Sequence, residues 1–303
     1  MSHAAAEGKE GSSIGLLLRA ATRRLGGEEP AGLASGSPRL DAELLLGHVL
    51  GLDRTRLAMN DRESVSPQAV ERFHDLLSRR LDGEPVAYLL GRAFFLDFEL
   101  RVGPGVLVPR PETEALAEWA IARLRRPGAP ARPRVLDVGT GSGALAIALA
   151  RALPEARVTA TDISAAALAL ARENVAKHAL AERVALSHSD LIPEGEGPFD
   201  LVVANLPYVG LDESSAVDAG VLRHEPHVAL FADADGLGQI RRLLSRLPRF
   251  LAPAGELGLE IGWRQGPAAL ALVGAALPRQ RVRCAEDLAG HPRLILAEFA
   301  ART

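Results

Sequence analysis

From Arg134 onward the chain alternates short apolar runs with long Ala/Leu-rich stretches, and no other pattern restricts its fold as much. The runs are Val135–Val138, Arg157–Thr161, Val184–Ser187, Leu201–Ala204, Glu256–Ile261, Val282–Cys284 and Arg293–Phe299. Each has the length of a strand, and helical segments are expected between the first five. That alternation is the signature of βαβ units and a mainly parallel sheet. The last two runs are joined by Ala285–Pro292, too short for a crossover helix, so they are expected to pair antiparallel. The pattern predicts a seven-stranded, Rossmann-like α/β domain over residues 109–303.

The preceding part reads as helical from Ile14 to about Gly83. Ser37-Pro38 and Ser66-Pro67 each supply an N-cap followed by Pro at the first helical position. Leu40, Leu44, Leu45 and Val49 recur at helical spacing before Gly51, and Val70, Phe73, Leu77 and Leu81 mark one face of the next helix. A small helical domain is therefore expected over 14–85, after a disordered tail over 1–13. Phe94, Phe95, Phe98, Leu100 and Val102 predict a β-hairpin within 86–108. Arg123–Arg134, rich in Arg, Pro and Ala, reads as a solvated connector.

Composition narrows the function classes. With 48% apolar and 24% charged residues, the chain has the make-up of an ordinary globular protein. Its 35 Lys+Arg against 38 Asp+Glu give a net charge of -3, which disfavours long-range attraction to nucleic acid. Cys284 is the only cysteine, which excludes an internal disulfide and a Cys-based zinc site. No apolar run has the length of a membrane span. Met1–Ser13 has neither a signal-peptide core nor a transit-peptide pattern, so a reducing, cytoplasmic compartment is expected.

Asp137-Val138-Gly139-Thr140-Gly141-Ser142-Gly143 closes the first apolar run and opens a helical segment. Glycines there permit positive φ and let a ligand lie against the backbone. Asp162 ends the next run, followed by Ile163; an acid at that place suits the ribose hydroxyls of an adenosine-containing cofactor. The G-x-G-x-G spacing departs from the dinucleotide fingerprint G-x-G-x-x-G. An anionic Asp137 beside it would repel a pyrophosphate and attract an ammonium. The loop resembles the S-adenosyl-L-methionine loop of class I methyltransferases. That likeness implies a cofactor site of Asp137, Gly139, Thr140, Gly141, Ser142, Gly143, Asp162 and Ile163, with Asp190 and Leu191 framing the adenine end. NAD is the competing cofactor at this step.

Asn205-Leu206-Pro207-Tyr208 follows the fourth run. In a doubly wound sheet the first and fourth strands are neighbours at the switch point. Asn205 and the glycine loop are thus expected to share one pocket. An amide nitrogen is a poor nucleophile because its lone pair is conjugated. The Asn205 oxygen and the Leu206 carbonyl can accept its two N–H groups, turning the lone pair toward a methyl donor. Pro207 biases Leu206 toward an extended backbone, and Tyr208 offers a flat wall. The segment resembles the [Asn/Asp]-Pro-Pro-Tyr motif of amino-group methyltransferases, with Leu206 in place of the first proline.

Further blocks point to one group of these. Pro109-Arg110-Pro111-Glu112-Thr113-Glu114 resembles the Pro-Arg-Pro-[Asp/Glu]-Thr-Glu signature of the release-factor glutamine methyltransferases, the PrmC/HemK family. Arg39–Leu46, Gly83–Tyr88 with Gly91, His224-Glu225-Pro226, Asp235-Gly236-Leu237, Glu260-Ile261-Gly262 with Gln265, and Asp287–Gly290 with Arg293 resemble its other blocks, in order over about residues 14 to 300. The resemblance implies methylation of the glutamine amide in the Gly-Gly-Gln loop of bacterial class I peptide chain release factors. It implies a release-factor docking role for the helical domain. It makes Asn205–Tyr208 the grip on the glutamine and places Arg110, Pro111 and Glu225 at the pocket mouth. His224–His227 lacks a zinc-ligand spacing and reads as structural. Competing readings are an adenine N6-methyltransferase acting on DNA or RNA, which grips an exocyclic amine in a similar turn, and a protein that only binds a translation factor.

Overall fold

The computed structural model describes residues 12–27, 37–210, 212, 217–233, 235–287 and 289–299. All but the last two residues of the tail expected over 1–13 lie outside the described residues. Contacts divide the chain into two units, Met1–Leu90 with Val217–His224, and Gly91–Ala216 with Glu225–Thr303.

In the first unit, polar side chains start each long helix. α1 (Ile14–Leu25), α2 (Pro38–Leu50) and α4 (Pro67–Leu81) are capped by Ser13, Ser37 and Ser66, whose hydroxyls accept N–H groups of the first turn. Asp53 does the same for the short α3 (Arg54–Met59), and α5 (Val86–Leu90) follows. Such caps answer orphan N–H donors. The helices enclose a core that includes Leu18, Leu45, Leu46, Leu57, Phe73 and Leu77. An ion pair of 2.8 Å between Arg80 and Asp41, both largely buried, ties α4 to α2.

The second unit begins with the hairpin β1 (Arg92–Phe95) and β2 (Phe98–Arg101). The expected 86–108 hairpin is thus shorter, its first residues being the helix α5. Then come α6 (Pro111–Arg125), β3 (Arg134–Val138), α7 (Ala144–Ala152), β4 (Arg157–Asp162), α8 (Ala165–Lys177), β5 (Val184–His188) and β6 (Phe199–Asn205). After β6 the chain forms α9 (Ala219–His224), which belongs to the first unit, then α10 (His227–Leu230) and α11 (Gly238–Arg246). β7 (Leu251–Glu260), α12 (Gly266–Ala276), β8 (Arg281–Glu286) and β9 (Pro292–Glu298) complete it.

The seven strands lie in the order β5-β4-β3-β6-β7-β9-β8. β3 to β7 are parallel, and β9 runs antiparallel between β7 and β8. This is the predicted Rossmann-like sheet, with the order reversing between β3 and β6. Burial on both faces explains the near-continuous apolar runs: Leu136, Val202, Leu257 and Ile295 are all inaccessible. Among the described helices, none is long and apolar enough to cross a membrane.

Two expectations are corrected. The link from β5 to β6 has no helix; Ser189–Pro198 is broken by Pro193, Gly195 and Gly197, which oppose one. Leu191 and Ile192 bury into the core instead. Nor is Arg123–Arg134 simply a solvated connector. Arg123 forms a two-pronged pair with Glu256 on β7, at 2.8 and 2.5 Å, and Arg126 adds two further contacts at 3.0 and 3.3 Å. Glu256 is buried, so these bonds anchor the end of α6 to the sheet.

Glu256→Ala leaves both guanidinium groups without their shared partner. It is expected to lower the unfolding free energy by about 3 kcal/mol, the low end for a broken buried pair because both arginines reach solvent. Urea titration of the full chain, followed by tryptophan fluorescence, checks this; a loss under about 1 kcal/mol would reduce the cluster to a surface pair.

Candidate active site

The glycine loop sits where β3 ends. Gly139, Gly141 and Gly143 have φ of 73°, 55° and 87°, the left-handed region open to glycine. Gly139 and Thr140 donate their N–H groups to the Thr161 carbonyl on β4 at 2.9 and 2.8 Å. The Asp162 carboxylate accepts the Gly141 N–H at 2.9 Å through one oxygen and the Ser164 N–H at 2.8 Å through the other. Each oxygen keeps lone-pair capacity for a further donor. Ile163 beside it is exposed.

Asp137 takes a different place from the one its sequence position suggests. Its carboxylate is fully buried, and Oδ2 accepts the Thr140 hydroxyl at 2.6 Å and the Ala146 N–H at 3.1 Å. Its Oδ1 has no partner among the described residues. Burial pushes the carboxyl up to about 7. Asp137 thus shapes the loop from beneath rather than presenting a charge at its rim.

The register Val138↔Ala204 between β3 and β6 places Gly139 against the turn that follows β6. A Cβ on Gly139 would stand 3.2 Å from Leu206 Cδ2 and 3.5 Å from the Asn205 carbonyl. Asn205 Nδ2 donates to the Thr113 hydroxyl at 3.0 Å, and that hydroxyl donates to Glu260 Oε2 at 2.6 Å. Thr113 lies in the first turn of α6, Glu260 ends β7, and both are buried. Burial pushes Glu260 up to about 7. The Tyr208 carbonyl accepts Gln265 Nε2 at 2.8 Å, and burial pushes the Tyr208 hydroxyl up to about 12.

One cavity of the second unit unites much of the expected set. Gly139 to Ser142, Asp162, Ile163, Asp190, Leu191, Asn205, Leu206, Pro207 and Arg110 border it, as does Thr113. Asp137, Gly143, Pro111, Tyr208 and Glu225 do not. Pro111 is the first residue of α6 and points to solvent. Glu225 is buried behind the wall, accepting Val108 N–H at 3.0 Å and Arg110 Nη2 at 2.5 Å, and so holds the segment that carries Arg110. At the rim, Asp190 pairs with Arg242 of α11, and Arg246 donates to the Asp190 carbonyl at 2.9 Å. Sequence reasoning attached no role to Thr113, Glu260 or Arg242. The signal for Glu260 was an acid at the carboxyl end of a strand, where ligands bind in such sheets.

Residues 17–91 match the family model of the PrmC N-terminal domain, and residues 121–224 that of the methyltransferase small domain. Release factor glutamine methyltransferase from Bordetella pertussis is 42% identical over 262 residues, covering 86% of this chain and 94% of its own. That from Deinococcus radiodurans is 42% identical over 284 residues, covering 94% and 98%. The chain belongs to the release factor glutamine methyltransferase family. A solved protein-(glutamine-N5) methyltransferase (release factor-specific) from Alicyclobacillus acidocaldarius is 32% identical, covers 67% of this chain and 100% of its own, and superposes with a TM-score of 0.42. The family is the one that the Pro-Arg-Pro-Glu-Thr-Glu block and the Asn-Leu-Pro-Tyr turn predict. In this chain the turn keeps its backbone carbonyl at Leu206, and the leucine side chain is buried between the loop and the core.

The raised Asp137 carboxyl has a measurable consequence. Its stabilising contribution is fully present below the unfolded value of 3.8 and is lost as pH rises through about 7, because the folded chain holds the proton more tightly. Asp137→Asn keeps an oxygen for Thr140 and Ala146 but cannot ionise. Its unfolding free energy, measured in urea at several pH values, is expected to fall less than that of the parent between pH 4 and 8. Parallel curves for the two proteins would rule the carboxyl out as the titrating group.

Proposed function

We propose that this chain transfers a methyl group from S-adenosyl-L-methionine to the side-chain amide nitrogen of the glutamine in the Gly-Gly-Gln loop of bacterial class I peptide chain release factors. The reading rests on one observation above all. Asn205 and Leu206 stand beside the glycine loop on the cavity wall, and neither Asn205 Oδ1 nor the Leu206 carbonyl has a hydrogen-bond partner among the described residues.

The cavity fits a nucleoside sulfonium. A Cβ on Gly141 would meet nothing within 4 Å, so the loop backbone is open to a ligand there. Asp162 offers acceptors for ribose hydroxyls, with the exposed apolar Ile163 next to it for a base. Gly139–Ser142, Asp162, Ile163, Asp190 and Leu191 would hold the cofactor. When bound, it supplies an electrophilic methyl group on sulfur.

The acceptor side follows from the polarity of the turn. Asn205 Oδ1 and the Leu206 carbonyl accept the two N–H groups of a primary amide, which orients the nitrogen and stabilises positive charge developing on it. Pro207 biases Leu206 toward an extended backbone. No strong base is needed, because the charged product amide is itself a strong acid. Tyr208, its hydroxyl held protonated by burial, supports the turn rather than taking a proton. The helical unit would contribute to docking the release factor, and such a substrate places the enzyme in the cytoplasm.

Labelled methyl transfer to a purified release factor tests this, with a control factor carrying Gln→Ala in the Gly-Gly-Gln loop and duplex DNA in parallel. Label on the natural factor alone is expected. Label on DNA instead would mean that the turn takes an adenine. Asn205→Ala is expected to lower turnover about a hundredfold, as for loss of one oriented polar group at a reacting centre.

A further inference from the structure

We propose that Thr113 and Glu260 set which way the Asn205 carboxamide faces, and are thereby positioning residues for the acceptor amide. The inference rests on the reading of Asn205 given under Proposed function and adds a cause for its orientation.

Donor and acceptor capacity fixes the orientation. A threonine hydroxyl has a single proton to give. At 2.6 Å from Glu260 Oε2, Thr113 Oγ1 gives that proton to the carboxylate, which only accepts when ionised. The hydroxyl can then only accept from its other neighbour, which is Asn205 at 3.0 Å. The nitrogen of the Asn205 carboxamide must therefore turn toward Thr113, and its oxygen is left for the cavity. With the opposite polarity Asn205 would present an NH2 group to the NH2 group of the incoming amide, two donors with nothing to share. A carboxamide has almost the same shape either way round, so packing alone selects its orientation poorly. The buried hydroxyl and carboxylate select it by chemistry.

The three residues come from distant parts of the chain. Asn205 lies at the end of β6, Glu260 at the end of the neighbouring β7, and Thr113 on α6. Asn205 and Glu260 are direct partners in the parallel register. The charges facing Glu260 are Glu112 on α6, which opposes its ionisation, and Arg293 on β9, which favours it. The Asn205 carboxamide also donates toward the Glu260 carboxylate and favours its ionised form, so Glu260 draws the Asn205 nitrogen directly as well as through Thr113. Above the value of about 7 to which burial pushes it, Glu260 is an acceptor only, so the test belongs at pH 8. Arg110 and Thr113 are linked by a backbone bond of 3.1 Å, and Glu225 holds Arg110, so the start of α6 is fixed on its other side as well.

Three variants of the full chain test the proposal. Thr113→Val removes the hydroxyl at nearly constant shape, Glu260→Met removes the acceptor, and Thr113→Ser restores the hydroxyl. Thr113→Val and Glu260→Met are expected to lose about tenfold or more in kcat, with KM for the release factor and the affinity for S-adenosylmethionine changed by less than about twofold. Thr113→Ser is expected to stay within about threefold of the parent. A second readout does not depend on turnover. The chain has only three asparagines, Asn60, Asn174 and Asn205, so 15N-asparagine labelling yields three side-chain NH2 signals. The Asn205 signal, identified by its loss in Asn205→Asp, is expected to shift in Thr113→Val and Glu260→Met and to hold its position in Thr113→Ser. An unshifted Asn205 signal in Thr113→Val overturns the proposal. So does a Thr113→Val enzyme with parental kcat, or a Thr113→Ser enzyme as impaired as Thr113→Val. If the parent fails to methylate a release factor, the proposed substrate falls, and the NMR arm still decides the orientation.

Discussion

Parallel pairing of β3 with β6 is the constraint on which the site depends. The two strands are far apart in sequence and adjacent in the sheet, and their register sets Val138 beside Ala204. One residue further along, the glycine loop meets the Asn-Leu-Pro-Tyr turn. The contact is close enough that even a methyl group on Gly139 would press on Leu206. A slip of one residue would turn every side chain of β6 to the other face of the sheet and leave the two halves of the site unmatched. Packing opposes such a slip, because it would take Val202 out of the place it fills in one core cluster with Leu136 on β3 and Leu257 on β7.

Buried carboxylates around this seam are answered in two ways. Glu256 and Glu225 meet arginines, at 2.5 Å in each case, and both brace elements rather than bordering the cavity. Asp137 and Glu260 instead meet threonine hydroxyls, at 2.6 Å, and are pushed up to about 7. A neutral hydroxyl offsets less of the cost of burying a charge than a guanidinium does. In return it transmits direction, since one proton can point only one way. The two hydroxyl pairs lie beneath the glycine loop and behind Asn205, the two places where polarity toward a ligand matters.

Much of this was legible in the residues. The seven apolar runs foretold the sheet because parallel strands buried on both faces leave an unmistakable trace, and the short 285–292 link foretold its antiparallel end. The shared pocket followed from topology once the glycine loop and Asn205 were placed on the first and fourth strands. The missing β5–β6 helix was written in Pro193, Gly195 and Gly197, and the general rhythm of the fold overrode that signal. Other features leave no local trace. Nothing near Asp137 tells whether its carboxylate points to a ligand or to Thr140. The bond from Thr113 to Glu260 spans 147 residues, and that from Arg123 to Glu256 spans 133. Such partners are selected by tertiary geometry, and composition shows only that each residue exists.

The helix α9 belongs to the first unit although it lies between β6 and β7 in sequence. Arg223 donates to the Asp82 carbonyl at 2.8 Å, and a Cβ on Gly220 would stand 2.5 Å from the Gly83 carbonyl, so the fit is tight. The helical unit is therefore not a cassette that one cut after Leu90 would release. Recombination between relatives that exchanged only the leading 90 residues would pair a new α4 end with an old α9. For such a chimaera to keep this contact, two separate stretches of gene would have to travel together. An exchange of this unit would leave two junctions in the gene rather than one.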